Sequence, residues 1–195
     1  MILPIIAYGD PVLRKKAAII NADFPGLKDL ITDLFETMQA ASGIGLAAPQ
    51  VGYPIRLFIV DTIPVIKNLN EENKDHDFKG EIGIKRIFIN ATSVDKNGDS
   101  WLYNEGCLSI PKIREDIERP DEITLEYSDE NFILHRESFD GLAGRVIQHE
   151  YDHIEGVLFT DHLKPLKRRL LKKKLENISK GIIEVDYKMK FPVKR

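Results

Sequence analysis

Gln148-His149-Glu150-Tyr151-Asp152-His153-Ile154-Glu155-Gly156 is the stretch around which the rest of the chain is organised. Its His-Glu-x-x-His core sets two imidazoles four positions apart. On a helix that spacing puts both rings on one face, close enough to grip one metal ion. Glu150 projects from the same turn as the first histidine and can reach a water on that ion. About one and a half helical turns thus supply two ligands and a general base. Leu142, Ala143, Val146 and Ile147 precede the motif at helical spacing, and Gly156 follows where a helix can end. The pattern predicts a metal helix packed in a core. It supplies only two ligands, so a third has to come from elsewhere.

Working outward, Gly141 leads into this helix, and two strands precede it. Glu122 to Ser128 alternates Ile123, Leu125 and Tyr127 with polar residues; Phe132 to Ser138 follows after the turn Asp129-Glu130-Asn131. Arg56 to Asp61 and Arg86 to Ala91 also read as strands. Between them, the segment from about 64 to 80 reads as an insertion, with Glu71 to Gly80 polar, charged and mobile. Asn97-Gly98 is a turn signal. Nearer the start, Asp10-Pro11 opens a short helix through about Ala18. Asp23-Phe24-Pro25 opens a second, in which Leu27, Leu30, Ile31, Leu34, Phe35 and Met38 form an apolar stripe ending before Gly43.

Downstream, Leu163 to Lys180 is a further helix with a stripe of Leu163, Leu166, Leu170, Leu171, Leu175 and Ile178. Arg168, Arg169, Lys172 and Lys173 are among the cations crowding its other face. In the tail, residues 181–195, Ile183, Val185 and Tyr187 alternate as in a late strand.

The chain has 195 residues, 43% of them hydrophobic, enough for one compact domain spanning 1–195 with a sizeable core. A formal net charge of −3 argues against wholesale coating of nucleic acid, though not against a local basic patch. No apolar run approaches the roughly 20 residues needed to cross a membrane. Met1 to Ala7 is apolar but short and lacks a basic leader. These features read as a cytoplasmic protein with no membrane attachment. Cys107 is the single cysteine, so no internal disulfide forms, and its thiol is inert, reactive or metal-bound.

Two other stretches carry chemistry. Gly43-Ile44-Gly45-Leu46-Ala47-Ala48-Pro49-Gln50-Val51-Gly52 reads as a tight connection from helix to strand. Its glycines permit close backbone approach, and its one polar side chain, Gln50, can donate to a substrate oxygen. No Gly-Lys-Ser/Thr follows, so it is not a phosphate loop. Trp101 to Pro111 places Cys107 just after Gly106. A lone cysteine is commonly a small buried hydrophobe. Beside a two-histidine motif in want of a ligand, the metal role comes first.

Gly-Ile-Gly-Leu-Ala-Ala-Pro-Gln at 43–50, Glu-Gly-Cys-Leu-Ser at 105–109 and Gln-His-Glu-Tyr-Asp-His at 148–153 occur in this order. Together they resemble the signature set of the peptide deformylases, which remove the N-formyl group from new polypeptides. The resemblance runs from about Pro4 to Leu170. It implies an α+β fold, with antiparallel β-sheets around a central metal-binding helix and a C-terminal helix. It also implies that Cys107, His149 and His153 bind the metal. One thiolate with two imidazoles would by itself suggest Zn2+. The family resemblance implies Fe2+, with Zn2+, Ni2+ or Co2+ often found in purified samples.

By the same resemblance, Glu150 is the general base, while Gln50 and the backbone N–H of Leu108 meet the negative charge that grows on the formyl oxygen. The substrate, an N-formyl-Met nascent polypeptide, would lie extended between Ile44-Gly45 and Gly106 as an added strand. Ile44 and Val146 would wall the methionine pocket, and Arg114 would shape its mouth. Lys112 stands where many members carry Gly or Glu. In some members the C-terminal helix docks on the ribosome, so the basic helix here is a candidate for that contact. An ordinary peptidase with this motif takes its third ligand from a downstream acid or histidine; Glu155 is too close on the same helix to serve. Oligomeric state is left open by all of this.

Overall fold

Strand formation at the centre of the chain follows from residues that can be buried on two faces at once. In the computed structural model, residues 1–71, 78 and 80–192 are described. The elements in order are β1 (Ile5–Ile6), α1 (Leu27–Ala40), β2 (Gly45–Ala47), β3 (Leu57–Asp61), α2 (Ile63–Glu71), β4 (Lys85–Cys107), β5 (Ile110–Ser128), β6 (Leu134–Phe139), α3 (Gly141–Ile154), α4 (Pro165–Ser179) and β7 (Met189–Lys190). Strands β2-β3-β4-β5-β6 form one antiparallel sheet in that order. A separate parallel pair joins β1 to β7.

The sheet lies between two helices, and β3 shows why its sequence is apolar throughout. Phe58 and Val60 pack in the core that receives Leu142, Val146 and Ile147 of α3. Leu57 and Ile59 point the other way, into the core formed with Leu30, Leu34 and Met38 of α1. Alternate residues of a strand face opposite sides, so a strand covered on both needs apolar residues at every position. A third core gathers Ile110, Ile113 and Ile117 of β5 with Leu171, Leu175 and Ile178 of α4.

Helix α3 is buried over most of its length, including Arg145, His149, Glu150 and His153. It ends as expected: Gly156 adopts φ 75°, and Val157 N–H bonds back to the Asp152 carbonyl at 2.9 Å. Only glycine enters that left-handed conformation without cost. A Cβ there would lie 2.7 Å from the Arg14 carbonyl oxygen.

Several sequence expectations are corrected. The short helix at Asp10 is one 3-10 turn, Pro11–Arg14, with Asp10 accepting from Val12 N–H. The chain then extends, because Ala17 N–H bonds Ile154 and Ala18 bridges Ile55. Helix α1 begins at Leu27, later than Asp23-Phe24-Pro25 suggested. The start of the segment read as an insertion at 64–80 lies in α2, whose Ile66 is buried; residues 72–77 and 79 lie outside the described residues. Asn97-Gly98 does not reverse the chain. It is a register irregularity inside the long β4–β5 hairpin, and the reversal falls at Leu108-Ser109.

In α4, Leu171, Leu175 and Ile178 face the body, whereas Leu166 and Leu170 are each 71% exposed. The stripe is therefore narrower than its spacing implied. Among the described residues no helix is long and apolar enough to cross a membrane.

Candidate metal centre and active site

Helix α3 carries His149 and His153 on one face, their ring centroids 5.1 Å apart. Cys107 arrives from the end of β4, just before the chain turns into β5. Its Sγ lies 3.3 Å from His153 Nε2. One ligand atom from each of the three residues falls within 4.8 Å of the others. A thiol and two imidazoles so gathered form a donor set for a divalent transition metal.

The surroundings test whether a cation fits there. His149 Nδ1 is 3.0 Å from Glu105 Oε2, which leaves its other nitrogen free for a metal. Burial lowers the pKa of His149, but contacts with Cys107 and Glu105 outweigh it, and the ring is held well above its ordinary value. The opposite holds for His153, which burial and then the His149 charge push well below the usual value, keeping its nitrogens neutral for ligation. The residues fit a metal ion.

Behind the histidines stands a buried ionic network. Arg119 donates to both oxygens of Glu105, at 2.7 and 3.1 Å, and to Asp152 Oδ2 at 2.7 Å. Arg145 reaches Glu105 at 3.4 Å and stacks over Trp101, while His162 meets Asp152 Oδ2 at 2.7 Å. Glu105 is held at a pKa of about 2: burial pushes it up, but His149 and Arg119 more than reverse that. An ionised Glu105 fixes the tautomer and orientation of His149.

Glu150 has no such partners. Its Oε2 is buried without a hydrogen-bond partner among the described residues. Burial first, against the pull of His149, raises its pKa to about 7. The carboxylate lies directly over Gly45, where a Cβ would come within 2.5 Å of Oε1 and 2.8 Å of Cγ. Glycine at 45 is what lets β2 approach α3 this closely. Gln50 sits in a 3-10 turn, Ala48–Val51, with its side-chain oxygen accepting from Ala47 N–H at 2.8 Å. That anchor aims its amide nitrogen at Cys107 Sγ, 3.5 Å away, and at Ser109 Oγ, 3.3 Å away.

These groups open into one cleft of about 540 Å³. Ile44, Gly45, Gly106, Leu108, Arg114 and Val146 all line it. Among the described residues strand β2 pairs only with β3, so its outer edge at Ile44 and Gly45 can receive an extended chain. Arg114 is tied back across the hairpin to Asn104 Oδ1 at 2.9 Å. The sequence-predicted site residues line this cleft except His153, which is buried with its Nε2 against Cys107 Sγ.

Comparison with known proteins agrees with this geometry. The sequence profile of the family described as Polypeptide deformylase matches residues 2–169. The chain belongs to the polypeptide deformylase family. It is 55% identical over 192 residues to the peptide deformylase of Christiangramia forsetii, covering 98% of this chain and 97% of that one. The peptide deformylase of Flavobacterium johnsoniae is 54% identical over 98% of this chain and 96% of its own. Among solved structures, the deformylase of Legionella pneumophila matches with a TM-score of 0.76 at 32% identity, covering 93% of this chain and 98% of that one. Members of the deformylase family are metal-dependent hydrolases that remove N-formyl groups from nascent peptides, and this chain is such an enzyme.

Beyond the deformylase signature, sequence reasoning missed the support. Glu105 and Asp152 stand inside the signature stretches with no role that spacing reveals, and Arg119, Arg145 and His162 lie outside them. Their signal is present only as charged residues inside apolar runs, where a buried charge needs a partner. Lys112 adopts φ 59°, a left-handed backbone conformation that glycine enters most easily.

Proposed function

We propose that Cys107, His149 and His153 hold one ferrous ion, and that Glu150, Gln50 and Leu108 carry out deformylation of N-formyl-Met polypeptides around it. The observation that carries this reading is the convergence of three ligand atoms within 4.8 Å beside a buried carboxylate whose Oε2 has no hydrogen-bond partner among the described residues. When bound, the ion supplies Lewis acidity, which polarises the formyl oxygen and makes water acidic enough to attack near neutral pH.

Glu150 accepts the proton of the attacking water and returns it to the leaving amine. As the formyl carbon becomes tetrahedral, negative charge grows on its oxygen. The Gln50 amide and the Leu108 N–H donate to it. The peptide backbone adds to the free edge of β2, near Ile44 and Gly45, with Gly106 on its other side. Backbone pairing ignores side-chain identity, so most sequences are accepted. Ile44 and Val146 wall the pocket for the methionine, and Arg114 stands at its mouth. Formate leaves, and the peptide keeps a free α-amine.

Glu150→Gln tests the assignment. The amide cannot take a proton, so formate release should fall at least roughly 100-fold while the metal stays bound. Near-wild-type turnover would assign the base to another group.

The cellular setting is cytoplasmic in this reading, where nascent formylated chains emerge. Helix α4 offers a basic surface for the ribosome: Arg169, Lys172 and Lys173 face solvent, while Arg168 caps the Asp161 and Leu163 carbonyls. Contacts to RNA phosphates weaken steeply with salt. Reversing Arg169, Lys172 and Lys173 to Glu should abolish low-salt co-sedimentation with ribosomes and spare hydrolysis of a short formyl-Met peptide. Pelleting like the wild type would reduce the cluster to a solvated face.

A further inference from the structure

The Leu108-Ser109 reversal between β4 and β5 is pinned from outside the sheet by the two ends of the chain. The hydroxyl of Tyr187 donates to the Leu108 carbonyl at 2.8 Å. The N–H of Tyr8 donates to the Ser109 carbonyl at 2.9 Å. Tyr187 lies well past residue 169, where the family match stops.

The tail reaches this point by a construction its sequence records. Ile183, Met189 and Phe191 pack against the core of Ile110, Ile113, Leu175 and Ile178. Strand β7 pairs with β1, so Ile5 N–H bonds Lys188 and Ala7 N–H bonds Lys190. With odd-numbered residues turned inward, Val185 and Tyr187 come to the cleft, and Asp186 lines it with them. The tail thus forms a wall of the same cleft that holds Cys107, Gln50 and Glu150.

We propose that Tyr187 is a positioning residue for deformylation, its hydroxyl fixing the Leu108 carbonyl and thereby the aim of the Leu108 N–H at the formyl oxygen. This rests on the donor role assigned to Leu108 above. Peptide units are planar, so the N–H and carbonyl of one residue are related only by its φ and ψ. A carbonyl fixed from the tail side leaves Leu108 little room to rotate. The next residue is held too, since Gln50 Nε2 donates to Ser109 Oγ at 3.3 Å. A donor that wanders loses part of the roughly 100-fold or more that a well-aimed one contributes.

Tyr187→Phe keeps the ring and deletes the hydroxyl, so the tail packing stays. With a formyl-Met tripeptide and the metal-loaded enzyme, kcat should fall on the order of 10-fold with KM nearly unchanged. Deuterium exchange of backbone amides across 105–111 should rise about fivefold, the worth of one hydrogen bond. The melting temperature should hold within about 2 °C. Tyr187→Leu, which removes the ring too, should reproduce the kcat loss and also melt lower. The proposal is overturned if Tyr187→Phe keeps full kcat with unchanged exchange, if only KM rises, or if the variant melts markedly lower. Exchange is read without turnover, so a wild type that releases no formate would indict the deformylation reading while the exchange result still judges the tail contact.

Discussion

Arg119→Met should destabilise the enzyme severely although Arg119 touches neither cleft nor ligand. Its side chain is 3% exposed and sits between two carboxylates that are 4% and 9% exposed. Removing the guanidinium deletes two hydrogen bonds to Glu105 and one to Asp152. Breaking a buried ion pair from one side typically costs about 3–5 kcal/mol, because the remaining charge stays buried. Here the orphaned groups keep partial partners. Glu105 retains His149 at 3.0 Å and Arg145 at 3.4 Å, and Asp152 retains His162 at 2.7 Å. The cost should therefore sit near the lower bound, about 3 kcal/mol.

For a chain of this size each kcal/mol shifts the melting temperature by about 2–4 °C, so a fall of roughly 6–12 °C is expected at neutral pH. Arg119→Lys keeps a charge but loses the fork that grips Glu105, and should fall between the two. The pH dependence supplies a sign. The Glu105 pKa is lowered from 4.5 to about 2, and that of Asp152 is lowered as well, after burial is outweighed by His162 and Arg119. A depressed carboxylate stabilises the fold above its unfolded pKa, and the gain is lost as pH falls through the folded value. Wild-type stability should thus drop steeply between about pH 4.5 and 2, and the variant should show a shallower slope over that window. Thermal unfolding of both proteins, metal removed, at a series of pH values measures this. A neutral-pH shift under about 2 °C would refute the view that this network carries the site.

Two further outcomes follow from the cleft. Gly45→Ala places a methyl group 2.5 Å from Glu150 Oε1, so the base must move; kcat should fall on the order of 100-fold with metal content unchanged, and full-rate formate release would show that Glu150 has room to spare. Cys107→Ser replaces a thiolate with a far poorer anionic ligand, so metal should be lost to a mild chelator and melting should drop, whereas full retention after dialysis would remove Cys107 from the donor set.

The metal helix was legible because its information is local. Two histidines at i and i+4, an apolar face at Leu142, Val146 and Ile147, and a terminal Gly156 each act within a turn or two of helix. The β4–β5 hairpin was not legible. Over Asp95 to Ser100 its residues are exposed, so no alternation marks which face is which, and Asn97-Gly98 mimics a reversal. What makes that stretch a strand is its partner, Pro120 to Thr124, 20 to 29 residues later, a non-local choice that no short window of sequence contains. The connection at 43–52 hid an edge strand for a related reason: three residues, Gly45–Ala47, are too few to show a period.

The site divides the same way, and the division has a physical cause. The proposed ligands and base are conspicuous because their chemistry admits few residue types at fixed spacing. Their supports admit many. The carboxylate that orients His149 comes from β4, the arginine that neutralises it from β5, and the second carboxylate from α3 itself. Each looks like a surface charge until the fold buries it. Once buried they depend on one another, since desolvating a carboxylate costs several kcal/mol unless a cation meets it. The hairpin that delivers Cys107 also delivers Glu105 and Arg119, so the third ligand and the network behind the first histidine arrive on one structure. A register slip in β4–β5 would therefore displace ligand and support together, which ties assembly of the metal centre to correct pairing of the two longest strands.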